Sequence, residues 1–268
     1  MQTHASLILR LVDRFGRRAV TAHEVSVFLG GHRGRTVWKP GGFFVLADLE
    51  PGRMQVELRS TRYQAESFPV DVPLPGAGYV LMHRMLNPAP AYPFGSPVTT
   101  LSGHLLLDGE TVSGRPFHLV PGEGTEVLKV AEDGMEAGAV GLKLFAAVAA
   151  GRLSIPGHYL VFEREEAKRE FCLIVQPADR NGLYLLQDGL SHAHPRGTPL
   201  VEVIEVRTAA DGGFFCVLPD IRGKEARVEL LLRETGRESV SVKLTVAAER
   251  PNDLGEISLG SGAVGKGK

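Results

Sequence analysis

A short motif that recurs at a distance constrains this chain more than any other feature. Gly41-Gly42-Phe43-Phe44-Val45-Leu46 returns as Gly212-Gly213-Phe214-Phe215-Cys216-Val217-Leu218, and each copy is followed by a turn and then by alternating apolar residues. After the first copy Met54, Val56 and Leu58 alternate with Arg53, Gln55, Glu57 and Arg59. After the second, Ala226, Val228, Leu230 and Leu232 alternate with Arg227, Glu229 and Arg233, and a further run carries Val240, Val242, Leu244 and Val246. Period two sends one set of side chains into a core and the other into water, which is the pattern of half-buried antiparallel strands. Val25, Val27 and Leu29 repeat it upstream, and turn residues such as Gly30-Gly31 and Leu49-Glu50-Pro51-Gly52 punctuate the runs. The expectation is an all-β chain of two related sandwich modules, for which 268 residues leave ample room.

The character changes between the copies. Pro73, Pro75, Pro88, Pro90, Pro93 and Pro97, with Gly76, Gly78 and Gly95, read as a semi-rigid linker with extended pieces, in which Tyr79-Val80-Leu81-Met82 is a candidate closing strand. The expected organisation is a first sandwich over residues 1–86, a linker over 87–97, a second sandwich over 98–259 and a flexible tail over 260–268. Ser102-Gly103-His104-Leu105-Leu106-Leu107 and Asp108-Gly109 imitate the opening strand and turn of the first module. The second module is longer by about 75 residues, an insertion expected over 121–199 and displayed on one face as in other repeat architectures. Within it, residues 137–150 are Ala-rich and stopped by Gly151, which predicts a short helix. Tyr159-Leu160-Val161-Phe162 and Phe171-Cys172-Leu173-Ile174-Val175 predict a hairpin with a charged tip.

The first module resembles the carboxypeptidase-regulatory-like, or transthyretin-like, β-sandwich domains. The resemblance is carried by Leu9-Arg10-Leu11-Val12-Asp13, Val25-Ser26-Val27, Gly42-Phe43-Phe44-Val45-Leu46, the Leu49-Glu50-Pro51-Gly52 turn and Met54-Gln55-Val56-Glu57-Leu58, with Tyr63 at the aromatic position. It covers residues 5–72 well and, in the second half, 101–120 and 200–259, where Asp220-Ile221-Arg222-Gly223 departs from the turn pattern. The resemblance implies an accessory module that stabilises, spaces or attaches, and fold alone supplies no mechanism. Two such sandwiches plus a linker, in a chain whose first residues lack an export signal, also look similar to accessory subunits of phage tails and phage-like contractile injection systems, which assemble inside the cell.

Composition and motifs narrow the function classes. A hydrophobic fraction of 43% and a charged fraction of 23% are those of an ordinary globular protein, and a net charge of −1 argues against a dedicated nucleic-acid binder. The basic run Gly31-His32-Arg33-Gly34-Arg35 reads as a solvated loop. No apolar run approaches the length of a membrane span, and residues 1–10 lack the regions of a secretory signal. The expectation is a cytoplasmic protein, including one later built into a released or membrane-associated particle. Cys172 and Cys216 each sit among apolar residues and read as buried small hydrophobes. Among nine histidines only His192-Ala193-His194 forms a close pair, without an acidic residue or Cys at ligand spacing, so a hydrogen-bonded loop is preferred to a metal site. No nucleophile elbow and no phosphate loop is present, and no cofactor is expected.

The leading expectation is therefore a non-enzymatic structural or adaptor subunit whose partners are other protein subunits. The alternative is a ligand- or carbohydrate-binding sandwich with the insertion as its pocket. Candidate partner contacts are Trp38, beside cationic residues, and Leu142, Phe145, Tyr159, Arg164 and Arg169 in the insertion.

Overall fold

The computed structural model describes residues 4–122, 126–131, 135–146, 157–163, 165–176, 183–218, 223–232 and 240–260. They fall into two compact units, Met1–Gly95 and Ser96–Lys268.

The first unit is a sandwich of two four-stranded sheets. One sheet runs β4 (Val37–Lys39), β5 (Phe43–Ala47), β1 (Ala5–Asp13), β8 (Val80–Leu86), and the other runs β3 (His32–Arg33), β2 (Ser26–Leu29), β6 (Gly52–Arg59), β7 (Glu66–Val72). All pairings are antiparallel except β1 with β8, the first strand with the last. The alternating positions do what their period dictates: Leu7, Leu9 and Leu11, Val25 and Val27, Phe44 and Leu46, Val56 and Leu58, and Phe68, Val70 and Val72 fill the space between the sheets. Part of the expected linker packs on the first unit. Residues 87–94 dock on this unit through backbone bonds from Gln64 to Asn87 and from Ala89 to Arg62, and Tyr92 and Phe94 pack on Phe15. Apolar rings followed by a wall to bury them outweigh the stiffness that proline confers.

The second unit repeats this plan. One sheet places β9 (Thr99–Leu107) between β19 (Gly213–Leu218) and, in parallel, β22 (Pro251–Leu259), with β10 (Glu110–Thr111) also on β9. The other runs β18 (Ile204–Arg207), β11 (Pro116–Pro121), β20 (Glu225–Leu232), β21 (Val240–Ala247). Hence β9 matches β1, β19 matches β5, and β22 matches β8.

The repeat runs one residue out of step with the Gly-Gly-Phe-Phe letters. Gly42 and Gly212 share φ +79. Each offers its carbonyl to a core leucine, Leu11 N–H at 2.8 Å and Leu105 N–H at 3.0 Å, and each leucine carbonyl takes the amide of Val20 or Val112. A Cβ on Gly42 would collide with the Leu11 carbonyl oxygen, so glycine is required by both the angle and the space. Aligning these glycines makes Phe214, not Phe215, the counterpart of Phe44: Phe214 is in the core and Phe215 is half-buried. The letters alone suggest Phe215, and a slip of one residue exchanges the two faces of a strand. Phe214→Ala should cost about 3–5 kcal/mol and Phe215→Ala under about 1.5 kcal/mol, read from chemical denaturation of the full chain. Val56→Asp, burying an unpaired charge at a site of 0% exposure, should remove the cooperative transition of the first unit altogether.

Candidate functional site

The feature that distinguishes the two modules lies at the tip of one hairpin. In the first, β2 and β3 are joined by Gly30-Gly31 alone. In the second, the corresponding strands β11 and β18 pair in the same antiparallel manner, but 82 residues, 122–203, stand where the two glycines were. That segment forms a closed six-stranded barrel: β12 (Glu126–Val130), β13 (Gly141–Ala146), β16 (Leu183–Leu186), β15 (Glu170–Gln176), β14 (Gly157–Val161), β17 (Pro199–Glu202), and back to β12. Every adjacent pair is antiparallel.

The helix expected over residues 137–150 is absent where the chain is described. Gly141–Ala146 is a strand, and residues 147–150 lie outside the described ones. Alanine's helix preference is a weak local term, and closing a barrel that leaves no unpaired edge outweighs it. The change of period redistributes the candidate contacts. Leu142, at 0% exposure, and Tyr159, at 4%, point into the barrel with Leu128, Val130, Val161, Cys172, Ile174, Tyr184 and Leu200, so neither is a partner contact. This interior is filled by side chains, as a narrow barrel's must be. Phe145 points out at 43% exposure, across from Lys129 on β12. Leu185 also faces out, opposite Gly141, and Val140 is exposed beside them. Arg169 stacks on Phe162 with its guanidinium 4.1 Å from the ring centre and donates from Nε to the Glu163 carbonyl, which makes it a brace of its own loop. Arg164 lies outside the described residues. Trp38, in the first unit, is 37% exposed on edge strand β4 and donates its indole N–H to the Val20 carbonyl at 3.1 Å.

Where the barrel meets its stem, Val120, Leu160 and Val203 form a small apolar cluster with Phe162 and Phe171 against it. Nearby, on strands distant in sequence, His118, His158 and Glu205 bring a ligand-type atom each within 4.8 Å of one another. Local spacing conceals this group; the signal that would reveal it is the parity of each residue on its strand. His194 is buried in its loop with Nδ1 3.1 Å from Glu163 and Nε2 2.7 Å from Glu170. Its acidic neighbours arrive from 24 and 31 residues away, beyond the reach of a motif search. Burial opposes the ionisation of Glu170, but amide donors Ser191 and His192 and the His194 ring prevail and hold its carboxyl below the usual range. Cys172 and Cys216 are buried thiols in separate cores; desolvation pushes Cys172 up to about 12 and Cys216 higher still, which makes both inert.

The first unit holds its own buried polar network. Asp13 caps the following turn through the amides of Phe15 and Gly16 and accepts the hydroxyls of Tyr63 and Tyr92. Arg18 grips Glu24 with both terminal nitrogens, at 3.0 and 2.6 Å, and Arg62 and Thr21 bind the same carboxylate. Tyr92 is pushed up to about 12, chiefly by burial and then by its bond to Asp13. The Arg18 hydrogen bonds hold the Glu24 carboxyl far below the ordinary 4.5, against the opposing effect of burial.

No family model matches the chain, and no curated protein matches it. Among solved structures it is similar to a streptococcal ancillary pilin, at 10% identity over 97% of this chain and 69% of that one, TM-score 0.26. It is also similar to the TIE protein of Bacillus anthracis, at 8% identity over 97% and 52%, TM-score 0.25, and to the shaft pilin SpaA from Lactobacillus rhamnosus GG, at 9% identity over 98% and 99%, TM-score 0.25.

The Glu24 network generates an acid dependence. A carboxyl whose folded value is depressed stabilises the fold above its unfolded value of 4.5 and loses that contribution as pH falls below it. Thermal melts from pH 7 to pH 3 should show the first unit weakening below about pH 4.5, and Glu24→Gln should lower the pH 7 midpoint while flattening this fall.

Proposed function

We propose that this chain is a non-catalytic structural or adaptor subunit of a larger protein assembly, and that the barrel is its recognition element. The observation that carries the reading is the placement of a complete barrel, with its own filled interior, at the tip of a hairpin that the sister module closes with two glycines. The sandwich does not require it, and it presents Val140, Phe145 and Leu185 outward. The sandwiches act as spacers of the transthyretin-like kind, a family reading supported by the residue pattern around Gly42 and Tyr63. The carboxylates of Asp13, Glu24 and Glu170 are each held by several hydrogen bonds, which supports a structural role for those three groups. The filled barrel interior weighs against the insertion as a small-molecule or carbohydrate pocket. No helix among the described residues is long and apolar enough to cross a membrane. A contractile injection particle is one assembly of the required kind.

Replacing residues 122–203 with Gly-Gly tests the reading, because it restores the turn of the first module. The trimmed protein should keep two cooperative units yet fail to co-sediment with its native particle. Phe145→Glu in the full chain should leave stability within about 1 kcal/mol and weaken assembly at least tenfold. Co-sedimentation of the trimmed chain at unchanged affinity would overturn the proposal.

A further inference from the structure

The triad at the foot of the barrel has the composition of a metal site, and the fold explains how three distant residues arrive there. His118 on β11 and Glu205 on β18 are directly opposite one another in the antiparallel register. Each alternates with core residues, Phe117 and Leu119 in one strand and Ile204 and Val206 in the other, so both side chains stand on the outer face of the sheet. His158 comes from the barrel. Its carbonyl accepts the Val203 amide at 2.9 Å, which holds β14 beside the start of β18. Its neighbour Tyr159 points into the barrel, leaving the His158 imidazole on the barrel's outer face.

The distances suit a small divalent ion. His158 Nε2 and Glu205 Oε2 are 3.3 Å apart. That equals the edge of a tetrahedron around zinc with bonds of ~2.0–2.1 Å, which is roughly 3.3 Å. The edges to His118 fall within 4.8 Å. Phe171 packs on His118 with ring centres 5.4 Å apart, and the two imidazoles lie 5.8 Å apart, so the His118 ring packs against both. The side chains of His158 and Glu205 are 32% and 42% exposed, which gives an ion a path in and leaves a fourth position to water. Two imidazoles and one carboxylate favour zinc over calcium or magnesium, which take all-oxygen sets.

We propose that His118, His158 and Glu205 bind a zinc ion that fastens the barrel to its stem, two ligands coming from the sandwich hairpin and one from the barrel. The site is independent of whether the barrel recognises a partner. A His158–Glu205 ion pair alone would hold those two residues together without a metal and would not need the His118 ring, and that difference decides the experiment.

The full chain, untagged and stripped with a chelator, is titrated with zinc chloride by calorimetry at neutral pH. The expected result is one ion per chain with micromolar or tighter affinity. The melting temperature of the second unit should rise by roughly 5 °C or more at a hundredfold excess over Kd. His118→Ala leaves the His158–Glu205 pair in place and should weaken binding at least tenfold, as should the near-isosteric Glu205→Gln. X-ray absorption of the loaded protein should show two imidazoles in a nitrogen and oxygen shell at about 2.0–2.2 Å. If His118→Ala does not fold, Glu205→Gln carries the comparison. Absence of saturable one-to-one binding, or affinity unchanged in the variant that folds, overturns the site and places any zinc on other histidines.

Discussion

Four cross-strand pairs, Pro116 with Arg207, Phe117 with Val206, His118 with Glu205 and Leu119 with Ile204, join β11 to β18. The rest of the second unit depends on them. They hold the two ends of an 82-residue excursion at the spacing of an ordinary hairpin, so the sandwich meets the barrel as it would meet a turn. The stem is anchored because β11 is itself an inner strand, paired on its other side with β20 through His118–Leu231 to Pro121–Val228. The entropy of closing so long an insertion grows only slowly with its length. The barrel offsets its own ordering cost chiefly by burying its own core, from Leu128 to Leu200, and shares with the sandwich hairpin only the small cluster around Val120 and Leu160. The same register that secures the stem also aligns Phe117 and Val206 inward and His118 and Glu205 outward.

How much of this could be read in the sequence follows from the range of each interaction. Strands whose faces are set by alternation were legible: Met54 to Leu58, Ala226 to Leu232 and Val240 to Val246 all lie in strands of the expected character. The repeat was legible too, but its phase was not. Gly212 and Gly213 are equally glycine by letter, and only the Leu105 hydrogen bond and the positive φ show which one matches Gly42. The barrel was illegible as a barrel because its closure joins β12 to β17, contacts that no local window contains. Its β13 carries Leu142 and Leu144 at period two inside an Ala-rich stretch, and local propensity misled. The histidine and carboxylate groups at His118 and His194 were hidden for the same reason: their partners are close only across strands or loops.

The buried charges have a common logic. Asp13, Glu24 and Glu170 lose water on folding and recover it as several directed donors each: two amides and two phenols for Asp13, two arginines and Thr21 for Glu24, two amides and an imidazole for Glu170. Such saturation favours one arrangement of loops over its competitors, since removing any donor leaves a desolvated lone pair. A general acid or base needs the opposite, an oxygen or nitrogen turned towards a space where substrate can stand. Networks of this kind perturb ionisation without implying chemistry, and their perturbed groups mark the places where loops are pinned.

The two modules then act as internal controls for one another. Elements present in both, the parallel first and last strands, the glycine against a leucine carbonyl and the alternating strand after it, are what a sandwich of this kind needs to fold. Elements present in one copy only are candidates for something else. The first module alone carries Trp38 on an edge strand and the aromatic dock of Phe15, Tyr92 and Phe94. The dock is explained by burial of the chain leaving that unit. The second alone carries the barrel, and with it both the outward side chains Val140, Phe145 and Leu185 and the His118–His158–Glu205 group. A surface that recognises a partner works best when its carrier is rigidly oriented, because a barrel free to swing on two backbone connections would lose orientational entropy on every encounter. The apolar cluster of Val120, Leu160 and Val203 limits that swing by packing. A metal bridging the same junction would limit it by bonds whose directions are fixed.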